Sequence, residues 1–135
     1  LAEAAQRACA ESATAVAEVV ANAPSGHALA SMLGAYLSRD HLERVDVGCP
    51  IAALASETSR QVPEVRRVAT RHIKEMIDLI ARQSPDWGRP AAHERAMVTI
   101  ATMVGALMLS RAVDEPGLSD SLREAALKSL TPAGH

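Results

Sequence analysis

The chain has 135 residues, about one domain's worth; 48% of them are hydrophobic, and the formal net charge is −2. Such a chain can bury a core without disulfides or a metal to staple it. With no basic stripe, no phenylalanine and only one tryptophan and one tyrosine, it lacks the charge and the stacking surface that nucleic acid requires.

No run approaches the roughly 20 apolar residues of a membrane span, and the start does not resemble a signal peptide, so a cytoplasmic protein without a membrane partner is expected. Alanine, leucine, valine and methionine supply the apolar fraction and favour helices over strands.

The first helix carries Leu1, Ala5, Ala8, Cys9, Val16, Val19 and Val20 at helical spacing. Its stripe is already running at Leu1 with no capping residue before it, so the chain is expected to start inside a helix whose preceding segment is missing. The segment Asn22-Ala-Pro-Ser-Gly is punctuation, and Leu29, Met32, Leu33, Tyr36 and Leu37 mark a second helix with Ser25 as the expected N-cap. Arg39 to Gly48 is polar and reads as loop.

Gly48-Cys49-Pro50 opens a short third helix, with proline at the first helical position and Ile51, Leu54 and Ala55 on its buried side. Pro63 opens a fourth, in which Val65, Ala69, His72, Met76, Leu79 and Ile80 make an apolar stripe while Arg67, Arg71, Lys74 and Asp78 face water. Ser84 to Pro90 is a loop, and a fifth helix is expected from about Ala91 to Val113. After Glu115-Pro-Gly, Leu118 to Leu130 reads as a sixth, capped by Ser119 or by Ser121 with Glu124 as a capping box.

The fifth helix is the most informative. From Ala96 to Ser110 it carries no charge, and its polar side chains there are only Thr99, Thr102 and Ser110. It reads as too short to cross a bilayer and too apolar to lie on a monomer's surface, so it needs its own core on one side and another partner on the other. Val98, Ala101, Thr102 and Gly105 form a narrow face of small residues. Gly105 costs on the order of 1 kcal/mol of helix propensity, a loss most easily offset by a second helix packing closely there.

Several segments together resemble the regulatory domain of TetR/AcrR-type transcriptional regulators, nearest to the LmrA/YxaF-like branch. They are Tyr36-Leu37-Ser38, then Gly48-Cys-Pro-Ile-Ala-Ala-Leu-Ala-Ser-Glu57, Val65-Arg-Arg-Val, and Val104-Gly-Ala-Leu-Met-Leu-Ser-Arg-Ala-Val-Asp114. The resemblance spans nearly the whole chain, and a single ligand-binding and dimerisation domain over residues 1–135 is expected. It implies an all-α, six-helix orthogonal and antiparallel bundle whose last two long helices form a four-helix bundle with those of a second copy.

It further implies a homodimer that binds a small lipophilic effector and so relieves repression. Operator DNA would be read only through an N-terminal helix-turn-helix domain absent from this chain, with the two reading heads held about 34 Å apart for successive major grooves. The expected dimer face takes in Val98, Ala101, Thr102, Gly105 and Leu109 with Leu122, Ala126 and Leu130. A stand-alone helical homodimer that binds lipophiles without any DNA-binding half is the alternative.

Effector-pocket residues do not carry over from the resemblance, so pocket candidates come from pattern. Met32, Tyr36, Met76, Met97 and Met103 suit an adaptable lipophilic pocket, though each also serves as ordinary core. His72, on the apolar stripe, is open to hydrogen bonding with a ligand or to a satisfied place in the core. Trp87 and His93 flank a loop that is either a lid or a surface turn.

Cys49 stands at a helix N-terminus, where the dipole favours the thiolate, so a pocket or redox role competes with plain packing at a turn. Cys9 and Cys49 lie forty residues apart without Cys-x-x-Cys or Cys-His spacing, which predicts neither zinc nor a structural disulfide. His27, His41, His72 and His93 with Glu43, Glu75 and Glu94 lack paired Glu-x-x-His order, so no metal is expected. Neither a nucleophile triad, a phosphate loop nor a paired-carboxylate motif appears. No cofactor and no enzymatic activity are expected.

Overall fold

A computed structural model describes residues 2–44 and 63–131. Its described part is all-helical. The helices are α1 (Ala2–Asn22), α2 (Ala28–Tyr36), α3 (Arg39–Glu43), α4 (Pro63–Ala81), α5 (Pro90–Ala112) and α6 (Pro116–Leu130). Five of them have nine residues or more, and α3 is little over one turn. The helix expected after Gly48, with Cys49 and Pro50, lies outside the described residues.

Proline and glycine set the boundaries. Pro90 and Pro116 each occupy the first turn of a helix, where a missing N–H leaves nothing unpaired. Gly26 and Gly88 adopt positive φ of 81° and 95°, which side chains resist, and so turn the chain between helices.

Three expectations about boundaries need correction. Ser25 does not cap α2: the N-cap position is His27, without a side-chain bond, because Gly26 places the turn one residue later. Neither Ser119 nor Ser121 caps α6, which begins earlier at Pro116 and buries Ser119. The polar stretch after Arg39 is helical as far as Glu43, since Ser38 accepts a hydrogen bond from the His41 N–H at 3.2 Å and caps α3.

Packing follows the apolar stripes. α1 lies against α2 and α4, α4 against α5, and α5 against α6. Met32, Leu33, Ile80, Ala81, Ala96 and Met103 form the main buried cluster, flanked by Val16, Val19 and Val20 of α1. A second cluster joins Leu37, Ala106 and Ala126, and Leu107 is wholly buried among Tyr36, Leu42, Val104 and Met108. In α4 the buried residues Val65, Val68, His72, Ile80 and Ala81 lie opposite exposed Arg66, Arg67, Arg71 and Lys74, as an amphipathic pattern requires.

Two arginines tie the corner between α2 and α3 to the last two helices. Arg111 of α5 donates from Nε to the Leu42 carbonyl at 3.0 Å and from Nη2 to the His41 carbonyl at 2.9 Å. Arg123 of α6, itself buried, donates to the Leu37 carbonyl at 3.2 Å and pairs with Asp120, which also receives Arg39 at 2.9 Å. These guanidinium groups satisfy carbonyls that helix ends otherwise leave open.

Over its full 23 residues, α5 is long and apolar enough to cross a membrane by length and composition alone. The uncharged run understated this, because the helix extends beyond it at both ends. Core helices pass the same test, and the inner side of α5 is core: Ala92, Ala96, Met103, Ala106, Leu107 and Ser110 are buried. Its outer side is not. Val98 is 63% exposed, Leu109 55% and Met97 42%.

Candidate ligand-binding site

A cavity of about 310 Å³ opens between α1, α2, α3, α4 and α5. Its floor comes from buried or half-buried apolar side chains: Val16 and Val19 of α1, Met32 of α2, Met76 and Ile80 of α4, and Ile100, Met103 and Val104 of α5. Each reaches the same space because it lies on the inward stripe of its own helix. Thioethers from three helices line a volume within the range of small-molecule sites, and they adapt readily to an occupant's shape.

The mouth is polar. Glu11, Ala15, Ala35, Asp40 and Arg44 line it and are exposed, with Ser12 and His41 half-buried beside them. Arg44 lies 3.5 Å from Asp40 across one turn. The His41 ring donates from Nδ1 to the Tyr36 carbonyl at 2.6 Å, and the two rings stand 4.7 Å apart at 54°. Burial pushes the His41 pKa down, helped by Arg111 and Arg44 and opposed by the Tyr36 hydrogen bond and Asp40. The charged form of the ring is therefore disfavoured.

The described part thus holds helices around an apolar cavity and an apolar helix face that is exposed among the described residues. Residues 27–126 match the family described as transcriptional regulator LmrA/YxaF-like, C-terminal domain. The chain belongs to this family. It is accordingly a regulatory domain of a TetR-type transcription regulator, a class of regulators and not of enzymes. No curated protein matches the sequence.

In this LmrA/YxaF-like domain, four of the pocket candidates come together: Met32, Tyr36, Met76 and Met103 all line the cavity. Three stand elsewhere. Met97 points outward on α5, one residue before Val98 on the exposed face. Trp87 is 52% exposed in the loop before α5, with the Arg82 guanidinium 5.5 Å from its ring centre, and does not reach the cavity. That loop is held from outside by Asp86, which pairs with Arg95 and accepts from Ser84; the Ser84 hydroxyl, then Arg95, holds its carboxyl below the usual range.

His72 is buried one helical turn from Met76 but does not line the cavity, and neither ring nitrogen has a hydrogen-bond partner among the described residues. Burial lowers its pKa against the pull of Glu75. Cys49 lies outside the described residues. Among those described, no group of three or more His, Cys, Asp or Glu residues is placed to hold a metal.

The candidates for a dimer face divide. Val98, Ala101 and Leu109 are exposed and Thr102 and Gly105 half-buried along one side of α5. A Cβ added at Gly105 would meet nothing within 4 Å among the described residues. Ala126, by contrast, is turned inward against Leu37 and Ala106, and Leu130 packs on the main core. Leu122 is half-buried, and the side chain of α6 that does stand out is Leu118.

Sequence reasoning missed the mouth: Glu11, Asp40, His41 and Arg44 were not singled out as pocket residues. The signal available was Ser38 followed by Asp40, a cap and a first-turn acid, which marks a helix and so a wall.

Proposed function

We propose that this domain binds a small lipophilic effector in the cavity between α1 and α5, and that a homodimer built on the outer face of α5 passes the occupancy on to a DNA-binding half, relieving repression. The cavity carries the reading. An apolar space open to solvent is costly to leave in a small core, and its side chains converge from five helices.

Family membership supports the regulatory role, and the exposed strip of Met97, Val98, Ala101 and Leu109 supports a helix-on-helix mate. Coupling requires that the effector bind the DNA-competent and DNA-incompetent arrangements with different affinity. The cavity is walled by α1 and α5 together, so an occupant that spreads them favours one arrangement.

The test is a thermal-shift screen of lipophilic compounds on the domain and on its Ala35→Phe variant. Ala35 is exposed at the mouth, so the larger ring obstructs the cavity without entering the core. Compounds that raise the melting temperature of the parent and not of the variant support the reading. Stabilisation indifferent to Ala35→Phe refutes it.

A further inference from the structure

We propose that the cavity selects uncharged lipophiles carrying one hydrogen-bonding atom, such as an alcohol, with the Ser12 hydroxyl as the group that recognises that atom. This rests on the ligand-binding reading above and adds the chemical class of the ligand.

Ser12 interrupts an apolar stripe. It stands on α1 four residues before Val16 and seven before Val19, the helical spacing that puts all three on one face, and all three line the cavity. A helical hydroxyl commonly turns back to the carbonyl four residues earlier, as Thr14 does to Ala10 at 3.0 Å and Thr102 does to Val98 at 2.8 Å. Ser12 makes no such bond, nor any other hydrogen bond among the described residues. It is half-buried, so an occupant of the cavity takes water away from this hydroxyl. The occupant must offer a partner in its place, or the hydroxyl is left unpaired.

Charge does not choose the head. Glu11 and Asp40 stand at the mouth, Arg44 lies 3.5 Å from Asp40, and Arg44 and Arg111 both act on His41 as positive charges. Among these groups carboxylates and guanidinium groups are matched, so a cationic or an anionic head gains little attraction and still gives up its water. The floor of Met32, Met76 and Met103 offers nothing to a buried charge. An uncharged head gives up far less on entry, and Ser12 can restore the bond it loses.

Calorimetric titration of the domain with butylbenzene, phenylbutanol, phenylbutanoate and phenylbutylammonium, each head at the end of the chain, tests this with one skeleton and four ends. The alcohol is expected to bind about tenfold more tightly than either ion. Ser12→Ala, which keeps the helix and removes the hydroxyl, is expected to weaken the alcohol about fivefold and to leave butylbenzene within about twofold of the parent.

Either ion binding as tightly as the alcohol overturns the proposal, as does a Ser12→Ala variant that weakens the alcohol and butylbenzene alike or weakens neither. Failure of the cavity reading looks different: none of the four binds, or all bind Ala35→Phe as well as the parent. Either of those results overturns both.

Discussion

The two sides of α5 are both apolar and yet are finished differently. Inward, Ile100, Met103 and Val104 line one cavity together with side chains from four other helices. Outward, Met97, Val98, Ala101 and Leu109 are exposed among the described residues and form a strip along the helix. An apolar cavity with a polar mouth fits a small molecule, while a long shallow strip fits another helix. One helix can thus face an effector and a partner at once.

The sharpest way to break that contrast is to charge the outer strip. Val98→Asp is expected to weaken self-association by about 4 kcal/mol, because two-fold symmetry sets an unpaired carboxylate in the interface from each copy. Sedimentation should show monomer at concentrations where the parent is dimeric, while helical content by circular dichroism stays unchanged. A parent that is monomeric at micromolar concentration sinks the dimer.

On the inner side the penalty falls on folding instead. Leu107 is fully buried, so Leu107→Ala is expected to cost about 3 kcal/mol in urea unfolding. A loss comparable to that of an exposed residue would mean that the inner side is not core.

Gly105 sharpens the contrast with a smaller effect of two signs. Among the described residues nothing opposes a methyl group there, so Gly105→Ala should stabilise the isolated subunit by about 1 kcal/mol through helix propensity. If a partner helix packs closely, the same change weakens the dimer. A variant stabilised and tighter as a dimer rules out close approach at that point.

Between pH 7.5 and 5.5, acid should act through His72 and His41. The pKa values of His72 and His41 are lowered by burial, so the unfolded chain takes up protons that the folded one resists. Their contribution is fully present above pH 6.5, the unfolded value, and is lost as pH falls below it. Unfolding midpoints compared at pH 7.5 and 5.5 should show the decline, reduced in His72→Leu; a midpoint flat over that window excludes it.

Much of this was legible in the sequence because helical periodicity reports which side of each rod is apolar. The inward stripe of α4 and the uncharged middle of α5 read directly, and four pocket residues fell on those stripes. Periodicity does not report what covers an apolar side chain, so Met97 and Met103 looked alike although one is exposed and the other buried. Ala126 misled for the same reason: a small residue fits a close interface or a tight core equally well, and here Leu37 and Ala106 occupy its side. The arginine contacts were invisible, since they join residues more than sixty positions apart.

A helix of five residues has no standing of its own, because its few internal bonds do not repay the ordering of its backbone. The closing carbonyls of α3 accept from Arg111, 69 and 70 positions downstream, so this segment borrows its shape from a rod made much later in the chain. During folding the cavity should acquire its oily base before its rim. Loosening Arg111 from those carbonyls would unravel the entrance first and leave the interior standing.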